Sequence, residues 1–387
     1  MGMSFTRFLV VIATLLSLLT DRLLYSDTSA ADQVEVVNVF HLIDNALWGE
    51  IDGSTLQGKM SCPQSGMRRI RCNFFSSDVK HGFLDALILK LKNQSLATVG
   101  SRKALQVSLY NIHTWGVHSP PPHYPSCLLP TDLSMIESEE SHRRFRKLFA
   151  DSFPLYDGNS TTSPYSTVQR SYIPKLNVTE FLPMTPFAQS INGASFVAST
   201  CHKGGGTTNR ESIVVELGKT IRVDSLGKCM KTIRKDSAVL AFGKTAKETL
   251  YLKQKAISHY LFYLAFENTN EPGYITEKVL DALVAGTVPV YLGDSVGCRK
   301  VLPHPKAAIF VDDFETIDKL AEYLQYLSGN TTAYEEHRAW RHDFNPLTQP
   351  SIFDISWPCA VCHWASHKNK ENLASLALNF QVKKRCV

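Results

Sequence analysis

The stretch Phe262–Gly293, FYLAFENTNEPGYITEKVLDALVAGTVPVYLG, decides the fold. Phe262 to Phe266 is an unbroken apolar run, the pattern of a strand buried on both faces. It ends at Glu267-Asn268, and a polar loop follows from Thr269 to Gly273. Tyr274-Ile275-Thr276-Glu277-Lys278 then opens a helix expected over Ile275–Ala285. Gly286 sits where a helix ends, and Pro289 stands at the start of a second apolar strand, Val288–Leu292. Open α/β sheets bind ligands beyond the C-terminal ends of their strands, where helix N-termini present free N–H groups. Glu277 suits the positive end of the helix and could accept ribose or sugar hydroxyls, and Lys278 could neutralise a diphosphate. Taken alone, a Glu-Lys pair is what a solvated helix face ordinarily carries, with Tyr274 a packing residue. Neither G-x-G-x-x-G nor G-x-x-x-x-G-K-[ST] occurs in the chain, and Gly204-Gly205-Gly206 is only a flexible loop before a helix.

Outward from this unit the alternation continues. Strands are expected at Ala194–Ser199, Ile221–Val223, Tyr260–Phe266 and Ala307–Val311, and helices at Asn209–Leu217, Ala246–Ser258 and Ile317–Leu327. Continuous apolar strands alternating with helices predict a parallel sheet covered on both faces. Towards the N-terminus, Val34–Phe40, Leu84–Leu89 and Val107–Ile112 read as strands and Ser138–Phe149 as a helix. Between them Ser119–Pro130 is a Pro-rich loop, and Asp157–Ser163 reads as a polar surface loop. Leu182–Pro186 is the expected boundary, giving domains at 34–185 and 186–387 behind an N-terminal segment at 1–33.

The 387 residues exceed one average domain, and 44% hydrophobic content supplies two cores. The net charge of +5 is spread along the chain without a basic run interleaved with aromatics, which disfavours nucleic acid as a partner. Nine cysteines are an odd count, so at least one thiol is unpaired within a monomer or paired between chains. Sequons at Asn93, Asn159, Asn177 and Asn330 accompany an uncharged run from Phe8 to Thr20, and together they point to the secretory pathway. That run suits a signal peptide with Ser29-Ala30-Ala31 as its cleavage site, or a short membrane anchor. In an oxidising compartment many of the cysteines are expected in disulfides.

Phe262–Gly293 resembles the signature of the α-1,3/α-1,4-fucosyltransferases, family 10 of the glycosyltransferases. Upstream, VASTCHKGGGTTNRESIVVELGKTIRVDSLGKC is similar to the family segment with Asn-Cys, an Arg opening a helix, and Val-Asp-x-x-Gly-x-Cys. Further back, the prolines at 120–122 followed by LSMIES resemble the family's Pro-rich loop and its strand ending in Glu-Ser. Leu261 stands where the family commonly has a Lys.

The resemblance implies an α/β fold of GT-B type, two Rossmann-like domains facing across a cleft, with the donor on the second. It implies GDP-fucose as donor, a GlcNAc-containing glycan as acceptor, and a Golgi membrane protein of single-pass type II with a lumenal catalytic domain. Arg210 would grip the diphosphate with its planar fork, and Lys278 would add charge there. Asn268 and Tyr274 would line the nucleotide and fucose pocket, and Glu277 would hold sugar hydroxyls. Glu137 would be the catalytic base, with Glu139 and Glu140 beside it in sequence. No metal or other cofactor is required where Arg210, Lys278 and backbone N–H groups meet the leaving charge. A cation at a helix start, as at Arg210, is unfavourable unless an anion sits there, so that placement itself favours an anion site. Cys359-x-x-Cys362 allows redox, zinc or structural roles, and the resemblance favours a local disulfide. Cys201 and Cys229 match family positions and could bond. Two further readings stay open: a fucosyltransferase acting on a protein hydroxyl or glycolipid, and an inactive secretory glycan-binding protein of the same fold.

Overall fold

The structure, a computed structural model, describes the strands at 35–43, 58–62, 70–78, 105–112, 131–135 and 158–160, and residues 161–169, 176, 178–199, 201, 208–232, 234–345 and 359–365. Two separate sheets result. The first holds β1 (Glu35–Ile43), β2 (Gly58–Cys62), β3 (Ile70–Asp78), β4 (Leu105–Ile112), β5 (Thr131–Met135) and β6 (Gly158–Ser160). Its order is β2-β3-β1-β4-β5-β6, parallel throughout except for the β2 edge. The strand expected at Leu84–Leu89 and the helix at Ser138–Phe149 lie outside the described residues. In place of the polar surface loop at Asp157–Ser163, β6 pairs with β5, and Thr161 and Thr162 are buried. Ladder bonds use backbone groups, so polar side chains do not prevent an edge strand.

The second sheet contains β7 (Ile191–Phe196), β8 (Val223–Ser225), β9 (Tyr260–Phe266), β10 (Val288–Leu292) and β11 (Ile309–Phe310). All pairings are parallel, in the order β11-β10-β9-β7-β8. Counted from β7, this is the doubly wound 2-1-3-4-5 arrangement, with its switch point between β7 and β9. The helices are α1 (Arg210–Leu217), α2 (Ala246–Ile257), α3 (Glu277–Ala285), α4 (Ser295–Val301), α5 (Ile317–Gly329) and α6 (Thr331–Glu336), with α7 at 359–365. The short α4 and α6 were not legible in the apolar periodicity.

Every residue of β9 is buried. Side chains alternate across a strand, so Phe262, Leu264 and Phe266 face α1 and α5, packing with Val214, Leu217, Leu320 and Leu324. Tyr263 and Ala265 face the other way, onto Val279, Ala282 and Leu283 of α3 and Ile257 of α2. This double covering is why the strand carries no alternating polar residues. Helix α3 starts at Glu277, two residues later than its apolar pattern suggests, because Thr276 is extended and serves as its N-cap residue. It stops at Gly286, whose φ of +74° is the left-handed geometry that favours glycine.

Cys201 and Cys229 form a disulfide that ties the segment after β7 to the segment after β8. Cys359 and Cys362 are both disulfide-bonded, and among the described residues Cys298 is the free thiol. Asn330 caps α6 through Oδ1, and Asn159 lies in β6. Asn93 and Asn177 lie outside the described residues. Among the described residues no helix is long and apolar enough to cross a membrane.

Candidate active site

The site is built where β7 and β9 send their chains in opposite directions. From β7 the chain reaches α1, which opens with Arg210. From β9 it passes through Glu267–Gly273 to α3, which opens with Glu277 and Lys278. Arg210 is buried, and its Nη1 donates to the Phe266 carbonyl at 3.3 Å, bridging the crevice to the end of β9. Its guanidinium carbon lies 5.9 Å from the centre of the Phe196 ring, and Nε is 3.4 Å from Glu211 Oε1. Thr208 Oγ1 donates to the next carbonyl, Glu267 O, at 2.7 Å. The start of α1 is therefore clamped onto the end of β9 at two successive carbonyls.

On the other side of the same strand end lies Glu267, wholly buried. Its Oε1 accepts from the Thr276 backbone N–H at 2.8 Å, and Thr276 Oγ1 donates to the same carboxylate. Lys278 Nζ lies 2.8 Å from Glu267 Oε2 and 2.6 Å from Thr276 Oγ1. Burial pushes the Glu267 carboxyl up, and the Lys278 ammonium pulls it back only partly. Burial works against the charge on Lys278, but Glu267 and Glu277 outweigh it and its pKa is raised.

Glu277 is the accessible member, with 42% of its side chain exposed. Burial would raise it, but Lys278 at 3.7 Å and Lys253 at 3.8 Å win and hold it at about 2. It is thus a fixed carboxylate at neutral pH, a hydrogen-bond acceptor for hydroxyls. Lys253 also reaches Asp281 at 2.7 Å, extending the charged row to α2. Asn268 is half-buried, and its Oδ1 has no hydrogen-bond partner among the described residues. Tyr274 is buried, packed behind the loop rather than open at its surface. Gly273, with φ +82°, turns the loop, and its N–H donates to Asp294 Oδ2 at 2.7 Å.

Of the residues expected at the donor side, Arg210, Asn268, Tyr274, Glu277 and Lys278 all fall on the two segments leaving this switch point. Glu137 lies outside the described residues. The sequence reading missed Glu267, Lys253, Asp281, Thr208 and Thr276. A carboxylate closing an otherwise wholly apolar strand was the available signal for Glu267, since such a group must find partners inside. Among the described residues no group of His, Cys, Asp or Glu could hold a metal ion.

Residues 190–379 match the family described as "Glycosyltransferase family 10 (fucosyltransferase) C-term". Residues 190–379 are thus similar to a glycosyltransferase family 10 domain. It is 30% identical over 227 residues to alpha-(1,3)-fucosyltransferase B of Drosophila melanogaster, covering 58% of this chain and 49% of that one. It is also 30% identical over 219 residues to GDP-fucose protein O-fucosyltransferase 3 of Danio rerio, covering 50% of this chain and 46% of that one. The matches thus span about half the length of these curated relatives. A crystal structure of an alpha1,3-fucosyltransferase aligns over 92% of this chain and 94% of its own, at 17% identity and a TM-score of 0.47. The family 10 match contains the whole second sheet together with Arg210, Glu267, Asn268, Glu277 and Lys278.

Proposed function

We propose that the chain is an inverting, GDP-fucose-dependent α-1,3-fucosyltransferase acting on a GlcNAc hydroxyl of glycoprotein glycans. The observation that carries this reading is the family 10 match across the unit in which Arg210 and Lys278 both bond to the end of β9. The acceptor oxygen attacks C1 of fucose as the bond from C1 to the β-phosphate oxygen breaks, turning a β-linked donor into an α-linked product. Negative charge grows on the departing GDP, and Arg210, Lys278 and the N-terminus of α1 supply the positive field for it. Fixed charges of this kind meet the leaving group without a metal ion. Glu277, held ionised, accepts hydroxyls of the donor. Glu137 takes the acceptor proton as general base. The N-terminal segment places the enzyme in the Golgi membrane with its catalytic part in the lumen, or is removed as a signal peptide to leave it soluble there.

The second reading, transfer to a protein hydroxyl, is favoured by the similarity to the zebrafish O-fucosyltransferase. One experiment separates them: the purified chain is incubated with GDP-fucose and a panel of GlcNAc-terminated, core and lactosamine glycans, glycolipids and folded protein domains. Transfer to GlcNAc, lost in Glu137→Gln while GDP still binds, is the expected result. Fucose on a serine or threonine instead supports the second reading. GDP binding with no transfer to any acceptor leaves a glycan-binding protein and overturns the enzyme.

A further inference from the structure

We infer that Glu267 is a positioning residue, which holds the Lys278 ammonium at the mouth of the switch-point crevice without touching ligand itself. This rests on the reading of the crevice as a nucleoside-diphosphate site. Glu267 is wholly buried at the end of β9, so it offers no surface to a ligand. What it offers is a fixed anchor. Its carboxylate is engaged by the Thr276 N–H at 2.8 Å, the Thr276 hydroxyl at 2.8 Å and the Lys278 ammonium at 2.8 Å.

The Thr276 hydroxyl works in both directions. It donates to Glu267 and accepts from Lys278 at 2.6 Å, closing a triangle of carboxylate, hydroxyl and ammonium. Thr276 does not cap its own helix with its side chain. A carboxylate from the neighbouring strand meets its backbone N–H instead, at the positive end of α3. An ammonium has three donors, and this triangle engages two of them, which orients the remaining one. A lysine on a flexible four-carbon stem would otherwise spread over many rotamers. Glu267 thus fixes in advance the cation that a diphosphate needs, at the cost of placing a negative charge near that anion. Glu277 stands apart from the triangle, 3.7 Å from the ammonium and partly exposed, so the two glutamates divide anchoring from ligand contact.

The test is a double-mutant cycle with Glu267→Gln and Lys278→Met, read both in GDP affinity and in urea midpoint. Glu267→Gln alone is expected to weaken GDP binding about tenfold, the effect of one lost charged hydrogen bond. In the Lys278→Met background the same change should leave GDP affinity within about twofold, since no ammonium remains to be held. Equal losses in both backgrounds would show that Glu267 merely supports the fold, and would overturn the inference. So would unchanged or tighter GDP binding in Glu267→Gln alone, the result expected if its charge only repels the ligand. Should the wild-type chain bind no GDP at all, the diphosphate reading fails by itself. Coupling in the urea midpoint would then still establish that Glu267 holds Lys278, and its absence would sink that too.

Discussion

Lys253 Nζ lies 2.7 Å from Asp281 Oδ2, joining α2 to α3 through an ion pair whose carboxylate is 1% exposed. Gln254 Nε2 also donates to Asp281, so consecutive residues of one helix serve one buried carboxylate of the next. Burial pushes Asp281 up against the pull of Lys253, while Lys253 itself is raised well above the ordinary lysine value. Lys253→Met strands that carboxylate and should cost about 3–5 kcal/mol in urea unfolding. Asp281→Asn added to it should recover part of the loss, because no buried charge then remains.

Asp224 is the second buried carboxylate to probe, and its effect is on acid stability. Burial disfavours its charge, but hydrogen bonds from Arg222 at 2.6 Å, Ser237 at 2.7 Å and Tyr260 at 2.9 Å outweigh it and hold its pKa below the ordinary range. A carboxyl depressed in the folded state stabilises above its unfolded pKa, about 4, and that contribution is lost as pH falls through the lower folded value. Denaturant midpoints should therefore keep this contribution from about pH 6 down to about pH 4 and lose it progressively below that. Tyr260→Phe should lower stability by about 1–2 kcal/mol at neutral pH and flatten the acid limb.

The Cys201–Cys229 bond closes a loop of 28 residues between the segments after β7 and β8. Loop entropy assigns such a crosslink about 3–4 kcal/mol. The paired serine variant should lose that much in urea, and its GDP affinity should fall as well, since α1 and Arg210 lie inside the loop.

Gly273 is where the loop between β9 and α3 cannot tolerate a side chain. A Cβ there would sit 2.0 Å from the Thr162 carbonyl oxygen at φ +82°. That oxygen is also held by Gln169 Nε2 at 3.0 Å, so it cannot yield freely. Gly273→Ala should cost about 1–3 kcal/mol in thermal unfolding and weaken GDP binding. Gly329, where an added methyl would meet nothing within 4 Å, is the control: Gly329→Ala should be neutral or slightly stabilising.

Much of the second sheet was legible because its strands are buried on both faces. An apolar run such as Tyr260–Phe266 has few other stable uses, and α3 and α5 announce their buried stripes at helical spacing. Helix α4 escaped notice because its start is set by Asp294, which accepts from the Gly297 N–H, rather than by an apolar stripe. Asn268, Tyr274, Glu277 and Lys278 were legible as site residues only through a motif, whereas Arg210 was also marked by its place at the start of α1. Glu267 was passed over for the opposite reason: it was seen as the end of a strand, with nothing in the local pattern to name its partners.

By itself the sequence determined the strand–helix alternation, the double burial of β9, the helix stop at Gly286 and the placement of a cation at the start of α1. These follow from periodicity and backbone chemistry within a few residues. Tertiary structure alone decided the strand order that puts the switch point between β7 and β9, the reach of Arg210 to the Phe266 carbonyl, and the triangle of Glu267, Thr276 and Lys278. The reason is physical. A charge buried between elements must be matched by whichever partners the packing brings within about 3 Å, and that choice belongs to the folded chain rather than to any local stretch of it.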